Sequence, residues 1–416
     1  MVHGEFWTLK EFFVYPNEYI YWSIQIVMYP FMTGLVAGAF VLSSLYHVFG
    51  VKQLKEIARF SLVFSFALLP VAMLPLLLHL MQPLRGIEVM LTPHFTSAIA
   101  AFGIVFSTYG MIVAAEIWFV YRRFFVETAL ALRAQTTRSR VNTLRLRLYS
   151  LLTLGAWDIS APALHLDEKA VKILASIGIP VACFLHGYAG FIFGSVKANA
   201  LWMTPLMPVI FICSAIVSGI ALCILTYVVS MELRKLLYAR RRHLHPGVPS
   251  HEELKSAETS VVLMTCNYLV MFLILAISLE LLDLIFRTYT AVKSWDILRA
   301  VIYEKDFFKI FVLQYGFGNL VPFLLLLWPG LTIRRAILAT VLVLVGVFMM
   351  RWNVVIGGQA FSASFSGFME YHLPIIPHNL ETFKEGFFGA LLVIVTPFLL
   401  FFGLAKILPV FEIQED

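Results

Sequence analysis

Apolar positions in this chain neither alternate nor keep to one helix face; they run on without interruption. In the stretch Ile210 to Met231 only scattered serines and one threonine break the pattern, so no polar stripe exists for water to face. A helix that is apolar all round is buried or spans a bilayer, and about 20 such residues cross the hydrocarbon. Runs of this kind predict nine spans, at 18–48, 57–80, 96–122, 169–195, 204–231, 259–288, 305–328, 331–352 and 383–408. A tenth is conceivable within 141–166, although Arg145, Arg147, Asp158, His165 and Asp167 suit an interfacial segment better. The expected fold class is all-α integral membrane, with nine or ten transmembrane helices in two four-helix bundles plus an extra helix or helices. By this reading 1–200 forms the first bundle, with a cytoplasmic or interfacial segment at 123–168. Residues 201–355 form the second bundle, and 356–416 an outer loop and the last helix.

Composition narrows the function classes. Charged residues make up 13% of the 416 and hydrophobic ones 60%, with mean hydropathy +0.85, against roughly a quarter charged in soluble domains. The short loops leave no room for a soluble catalytic domain, so the chain is expected not to be catalytic alone. Of the 31 Lys and Arg, 21 fall in the loops on one side of the predicted spans. The positive-inside rule then puts the N-terminus outside and the C-terminus in the cytoplasm of a cell bounded by this inner membrane. Arg122-Arg123 with Arg133 to Arg147, and Arg234-Lys235 with Arg240 to Arg242, sit beside spans. Membrane lipids with anionic headgroups explain such runs, and no nucleic acid is called for. Cys183, Cys213, Cys223 and Cys266 all lie inside apolar runs without a CxxC spacing, which argues against iron–sulfur ligation or structural disulfides. The opening Met1-Val2-His3-Gly4-Glu5 lacks the basic start of a cleaved signal peptide.

The candidate chemistry lies in the outer halves of spans 1, 2 and 4. Span 1 carries Trp22 and Gln25 ahead of Gly34 and Gly38, a GxxxG face that lets a neighbouring helix approach. Span 2 ends at His79, followed by Pro83-Leu84-Arg85, and span 4 carries His186 and Tyr188. Each histidine has a bland reading as a satisfied structural or interfacial group. Together, however, these residues aim donors, acceptors and a proton carrier at one membrane depth, and ionisable groups at such depth are functional candidates. A quinone headgroup needs hydrogen bonds to two carbonyl oxygens, a proton donor or acceptor and an apolar way in.

These residues also carry a resemblance. Gly34-Leu35-Val36-Ala37-Gly38-Ala39, the turn from His79-Leu80 to Pro83-Leu84-Arg85, and Gly187-Tyr188-Ala189-Gly190 followed by Leu201-Trp202 and Ser214 to Gly219 resemble the NrfD/PsrC family of quinone-interacting membrane subunits. Arg351-Trp352-Asn353-Val354-Val355-Ile356-Gly357-Gly358-Gln359 is similar to its longer branch, which includes the membrane subunits of the Qrc menaquinone reductase, hydrogenase-2 and the Dsr complex. The resemblance implies a subunit that ligates no haem or iron–sulfur cluster. It implies partners as well: a periplasmic iron–sulfur subunit and further redox subunits, molybdopterin-like or multihaem, with menaquinone bound as substrate near the outer face. By motif, His79 takes the acidic or histidine position before the family's Leu-Gly-Arg-Pro turn, and Tyr188 the tyrosine of its Tyr-Thr-Gly motif. Met81 and Gln82 depart from the turn while Arg85 is retained, and Trp22 and Gln25 stand where the family has a histidine in span 1. The expected quinone-binding set is thus Trp22, Gln25, His79, Arg85, His186 and Tyr188, with His79, His186 and Tyr188 as the reacting groups.

In the second bundle, Glu280 and Asp283 lie three apart on span 6 and so share a helix face. With Arg351 they form either a buried ion-pair network or part of a proton path. Glu116 and Glu232, near the inner ends of spans 3 and 5, are expected to be solvated or paired with neighbouring arginines. The leading expectation is a menaquinone oxidoreductase subunit of the Qrc kind, with proton conduction as an added possibility. Two other classes stay open. A secondary transporter or proton channel would centre on Glu280 and Asp283, and a haem b cytochrome would use His79 and His186 as axial ligands.

Overall fold

The apolar runs fold into long helices. The structure is a computed structural model describing residues 20–97, 99–135, 139–196, 199, 201–241, 251–290, 295–360 and 368–411. The N-terminal residues read for a signal peptide and the side chains of the basic run 240–242 lie outside the described part. Among the described residues, nine helices are long and apolar enough to cross a membrane, and no strand is formed. The chain is a multi-pass, all-α membrane protein. In chain order the helices are α1 (Ile24–His47), α2 (Lys55–Ala72), α3 (Leu74–His79), α4 (Ala100–Ala134), α5 (Arg140–Leu152) and α6 (Ala161–Gly194). Then come α7 (Met207–Arg241), α8 (His251–Thr290), the π-helical segment Phe308–Leu320 running into α9 (Val321–Leu327), α10 (Ile333–Val355), α11 (Leu380–Glu385) and α12 (Phe387–Leu404).

The segment that a tenth span would have used is α5. At 1.5 Å per residue its 13 residues reach about 20 Å, short of the roughly 30 Å hydrocarbon. Arg145 and Arg147 keep it out of lipid, and Tyr149 ties it to the end of the last span through a hydrogen bond to the Ile407 carbonyl.

Helix α1 is the axis of the fold. The whole of its most apolar window is buried, and it packs against α2, α6, α7, α10 and α12. Gly38 and Gly219 make this possible, because a Cβ on either would collide with the other's backbone. Without water to drive helices together, such close van der Waals packing of small residues is what holds spans in lipid. Gly318 and Gly346 make an equivalent contact between the π-helical segment and α10. Helix α7 packs on α1 and α6 and also on α8 and α10, so the packing is continuous across residue 200.

Span 2 is broken. Pro70 and Pro75 deny hydrogen bonds to the preceding turns, α2 stops at Ala72, and α3 restarts after Met73 to end on His79. The break sets His79 at the end of the bundle that also holds the start of α1.

Candidate functional site

Three chain segments meet at that end. Helix α1 begins with Ser23 as its N-cap, the hydroxyl accepting from the Gln25 N–H at 3.2 Å. Helix α3 delivers His79 as its last residue. Helix α11, started by a capping box in which Asn379 and Thr382 satisfy each other's backbone N–H groups, delivers Lys384 and Glu385 just ahead of the last span.

At their junction His79 Nδ1 lies 3.0 Å from Glu385 Oε2, and the Ser23 hydroxyl donates to the same carboxylate oxygen. Gln25 donates through Nε2 to the Lys384 carbonyl at 2.5 Å, and the Ile24 N–H donates to the Tyr371 hydroxyl at 2.9 Å. Gln25 is fully buried, and its Oε1 has no hydrogen-bond partner among the described residues. His79 and Glu385, by contrast, are 23% and 19% exposed, open enough for a ligand to reach them. Burial pushes the Glu385 carboxyl up, but the hydrogen bonds from His79 and Ser23 and the nearby charges of His79 and Lys384 outweigh it and hold the group below the usual carboxylate range. Burial pushes the Tyr371 phenol up to about 12, with the Ile24 N–H opposing. A carboxylate on Nδ1 orients the imidazole and favours a proton there, which turns Nε2 toward a reacting partner.

The other predicted residues are not gathered at this junction. Trp22 stacks on Trp202 with ring centroids 5.2 Å apart and meets Phe193 edge-on, joining the ends of α1, α6 and α7. Arg85 lies on the surface, 3.9 Å from Glu88. His186 is fully buried and faces Thr33, two helical turns along α1 from Gln25 and therefore about 12 Å deeper. Its partners are Arg351 Nη2 at 2.9 Å from Nε2 and Thr33 Oγ1 at 3.3 Å from Nδ1. Since guanidinium only donates, Nε2 is the acceptor and Nδ1 carries the proton toward Thr33. Gly34 leaves room for this ring; a Cβ there would sit 3.1 Å from His186 Cε1. Tyr188, two residues on, leaves α6 on another side, among Phe102, Phe184 and Phe191.

Arg351 is completely buried. It donates to Ser214 Oγ at 2.7 Å and the Phe211 carbonyl at 3.3 Å, and its guanidinium lies 3.7 Å from the Phe211 ring centroid. Among the described residues it forms no ion pair with Glu280 or Asp283, although Glu280 feels its charge. Asp283 instead pairs with Arg287 at 2.8 Å and accepts from the Thr204 hydroxyl at 2.6 Å. Glu280 Oε2 accepts from Gln314 Nε2 at 3.0 Å and Asn319 Nδ2 at 3.4 Å, and Gln314 Oε1 accepts from Asn353 at 2.8 Å. The π winding explains the paired amides: bonding from i to i+5 stacks residues five apart, as Gln314 and Asn319 are. A cavity of about 110 Å³ opens beside these groups, lined by Glu280, Asp283, Arg287, Gln314, Tyr315 and Asn353.

Glu385, Ser23, Thr33 and Ser214 escaped the reading of the sequence. Glu385 left a signal there, as a carboxylate inside the predicted span 383–408 at the depth of His79. Ser23 and Thr33 left none, and Ser214 entered only as the start of a family-like segment, since their roles come from contacts between distant spans.

Comparison with known proteins gives these sites a setting. Residues 15–363 match the family described as polysulphide reductase, NrfD. The chain is 33% identical over 217 residues to a selenate reductase subunit of Mesobacillus selenatarsenatis, covering 51% of this chain and 49% of that one. It thus spans about half the length of that relative. It is 24% identical over 347 residues to the Hdr-like menaquinol oxidoreductase integral membrane subunit of Archaeoglobus fulgidus, covering 82% of this chain and 71% of that one.

Proposed function

The chain belongs to the NrfD polysulphide reductase family, and we propose that it is the quinone-binding membrane subunit of a respiratory oxidoreductase complex. The observation that carries this reading is the partly exposed His79–Glu385 pair, its carboxylate also bound by the Ser23 hydroxyl. The uneven spread of Lys and Arg supports an outside N-terminus, which makes this end of the bundle the outer one in a cytoplasmic membrane.

The substrate is menaquinone. Its reduction takes two electrons and two protons, and the electrons come from a periplasmic iron–sulfur subunit docked over this end, itself fed by further redox subunits. His79 Nε2 holds one quinone oxygen and supplies one proton, Glu385 steadies the imidazolium before transfer, and the second proton comes from water at this partly exposed end; Gln25, closed to solvent, holds the Lys384 carbonyl and so keeps Glu385 in place. Trp22, Tyr188 and the surrounding phenylalanines offer the apolar path along which the tail enters. His186, held by Arg351 deeper in the bundle, belongs to a polar route leading from the headgroup toward Glu280 and Asp283, along which protons would cross. The menaquinol oxidoreductase named among the relatives supports menaquinone as the substrate class. Quinone reduction, as in the Qrc complex, is favoured over quinol oxidation because a site at the outer face suits electrons delivered from the periplasm.

Titrating the detergent-purified complex with a fluorescent quinone-analogue inhibitor tests the reading. Saturable quenching is expected, with affinity weakened by an order of magnitude in His79→Ala and in Gln25→Leu at unchanged thermal stability. Non-saturable quenching, or wild-type affinity in both variants, would refute it.

A further inference from the structure

The opposite end of the first four spans holds a second set of ionisable groups that the quinone reading does not use. A cavity of about 770 Å³ opens there, between the end of α1, the start of α2, and α4 and α6. Its lining includes His47, Lys52, Arg59, Val120 and His165. One turn before Phe119 and Val120, on the same face of α4, stands Glu116. It has no exposed surface, and neither carboxyl oxygen has a hydrogen-bond partner among the described residues.

The expected arginine partners are engaged elsewhere. Arg122 forms a buried pair with Asp167 at 2.7 Å, and Arg123 pairs with Glu127 at 2.8 Å. Among the described residues Glu116 is therefore neither exposed to bulk solvent nor ion-paired, contrary to what its sequence position suggests. It is not the only orphan: His47 Nε2, Arg59 Nε and the Tyr121 hydroxyl are also buried without hydrogen-bond partners among the described residues, and Arg59 is within electrostatic reach of both His47 and Tyr121. Farther along α4, two turns from Glu116 and on its side, the Tyr109 hydroxyl meets Ser65 Oγ at 3.3 Å, and Ser65 donates to the Val36 carbonyl at 3.0 Å. Cys183 is the remaining titratable neighbour of that pair.

Polar atoms at membrane depth are normally satisfied within the protein, and buried atoms left unpaired in one zone point to water that bridges them. The zone is polar and adjoins a cavity large enough to admit water. A carboxyl with no counter-charge is far cheaper to bury neutral than ionised, so this one is suited to taking up and releasing a proton rather than holding an ion pair.

We propose that Glu116 is a proton-exchange site that communicates through water with the cavity at the His47 end, and passes protons between that side and the Tyr109–Ser65 pair. In each transfer one O–H bond forms on the Glu116 carboxylate as one breaks on the neighbouring water, and no electron moves. The proposal lies beyond the quinone reading, because it concerns the other end of the bundle and holds wherever quinone binds.

Infrared spectroscopy of the purified full chain in lipid nanodiscs tests it. The carbonyl stretch of a protonated carboxylic acid is expected, absent in Glu116→Gln and shifted in Glu116→Asp. Transfer to deuterium oxide should move the band within seconds, and Val120→Trp, which fills the cavity wall beside Glu116, should slow that exchange by an order of magnitude. A band that survives Glu116→Gln, that does not exchange over hours, or whose exchange rate ignores Val120→Trp would overturn the proposal. Should Glu116→Gln fail to insert, Glu116→Asp keeps the carboxyl, and an unshifted band in that variant would overturn it equally.

Discussion

Replacing Glu385 by Gln is expected to slow quinone turnover about 100-fold, the lower end of what a positioned acid or base contributes, while the complex still assembles. The amide keeps the shape and can still meet the Ser23 hydroxyl, but it cannot hold a proton on His79 Nδ1 by charge. Imidazole orientation is then lost just where proton transfer to the quinone oxygen needs it. The same substitution carries a pH signature. Because Glu385 is held below its ordinary value of 4.5, its ionised form stabilises the folded state. That contribution is complete above the ordinary carboxylate range and is lost as the pH falls through the depressed value. The stability difference between wild type and Glu385→Gln should therefore be constant above pH 4.5 and close below it, read by thermal melts across the acid range. Single-turnover quinone reduction measures the rate effect. Wild-type rates in the variant would remove Glu385 from the site.

Arg351→Ala is expected to cost the largest share of stability of any single change, roughly 3 kcal/mol or more. The side chain is fully buried and binds α10 to His186 of α6 and to Ser214 and Phe211 of α7. Truncation leaves these groups unpaired at a depth where water does not replace them, together with a cavity the size of the guanidinium and the loss of its stacking on Phe211. Arg351→Lys should recover only part, since an ammonium is a single point of donation and cannot reproduce the fork. Melting temperatures in mild detergent for Arg351→Ala, His186→Ala and the double variant measure the coupling directly. Additive losses would mean that the Arg351–His186 contact is incidental.

The membrane made most of the fold legible. Lipid demands uninterrupted apolar runs, and among the described residues each of the nine runs becomes a helix long and apolar enough to span, though α4 continues to Ala134 where hydropathy ended the run at 122. Hydropathy reads the part of a helix in hydrocarbon, not the helix. The site was legible by depth and not by direction. His186 and Tyr188 stand two apart on one helix, which turns them to different sides however similar their depth. Helix spacing alone could have separated them, whereas the pairing of His186 with Arg351, 165 residues away, depends on how α6, α7 and α10 pack. Glu385 was hidden differently: it belongs to the short helix α11, whose residues blended into the last apolar run. Arg85 shows the reverse, a residue matched by motif that the fold leaves on the surface beside Glu88.

The proposed quinone site is the junction of His79 and Glu385 at the start of α1. Photo-cross-linking of the purified complex with an azido-menaquinone analogue, followed by mass spectrometry of the labelled peptides, tests it most directly. Label is expected on the peptides holding residues 20–29, 76–85 and 380–389, displaced by excess menaquinone and reduced in His79→Ala. Label confined to the cavity beside Glu280 and Tyr315, and untouched by His79→Ala, would place the quinone elsewhere.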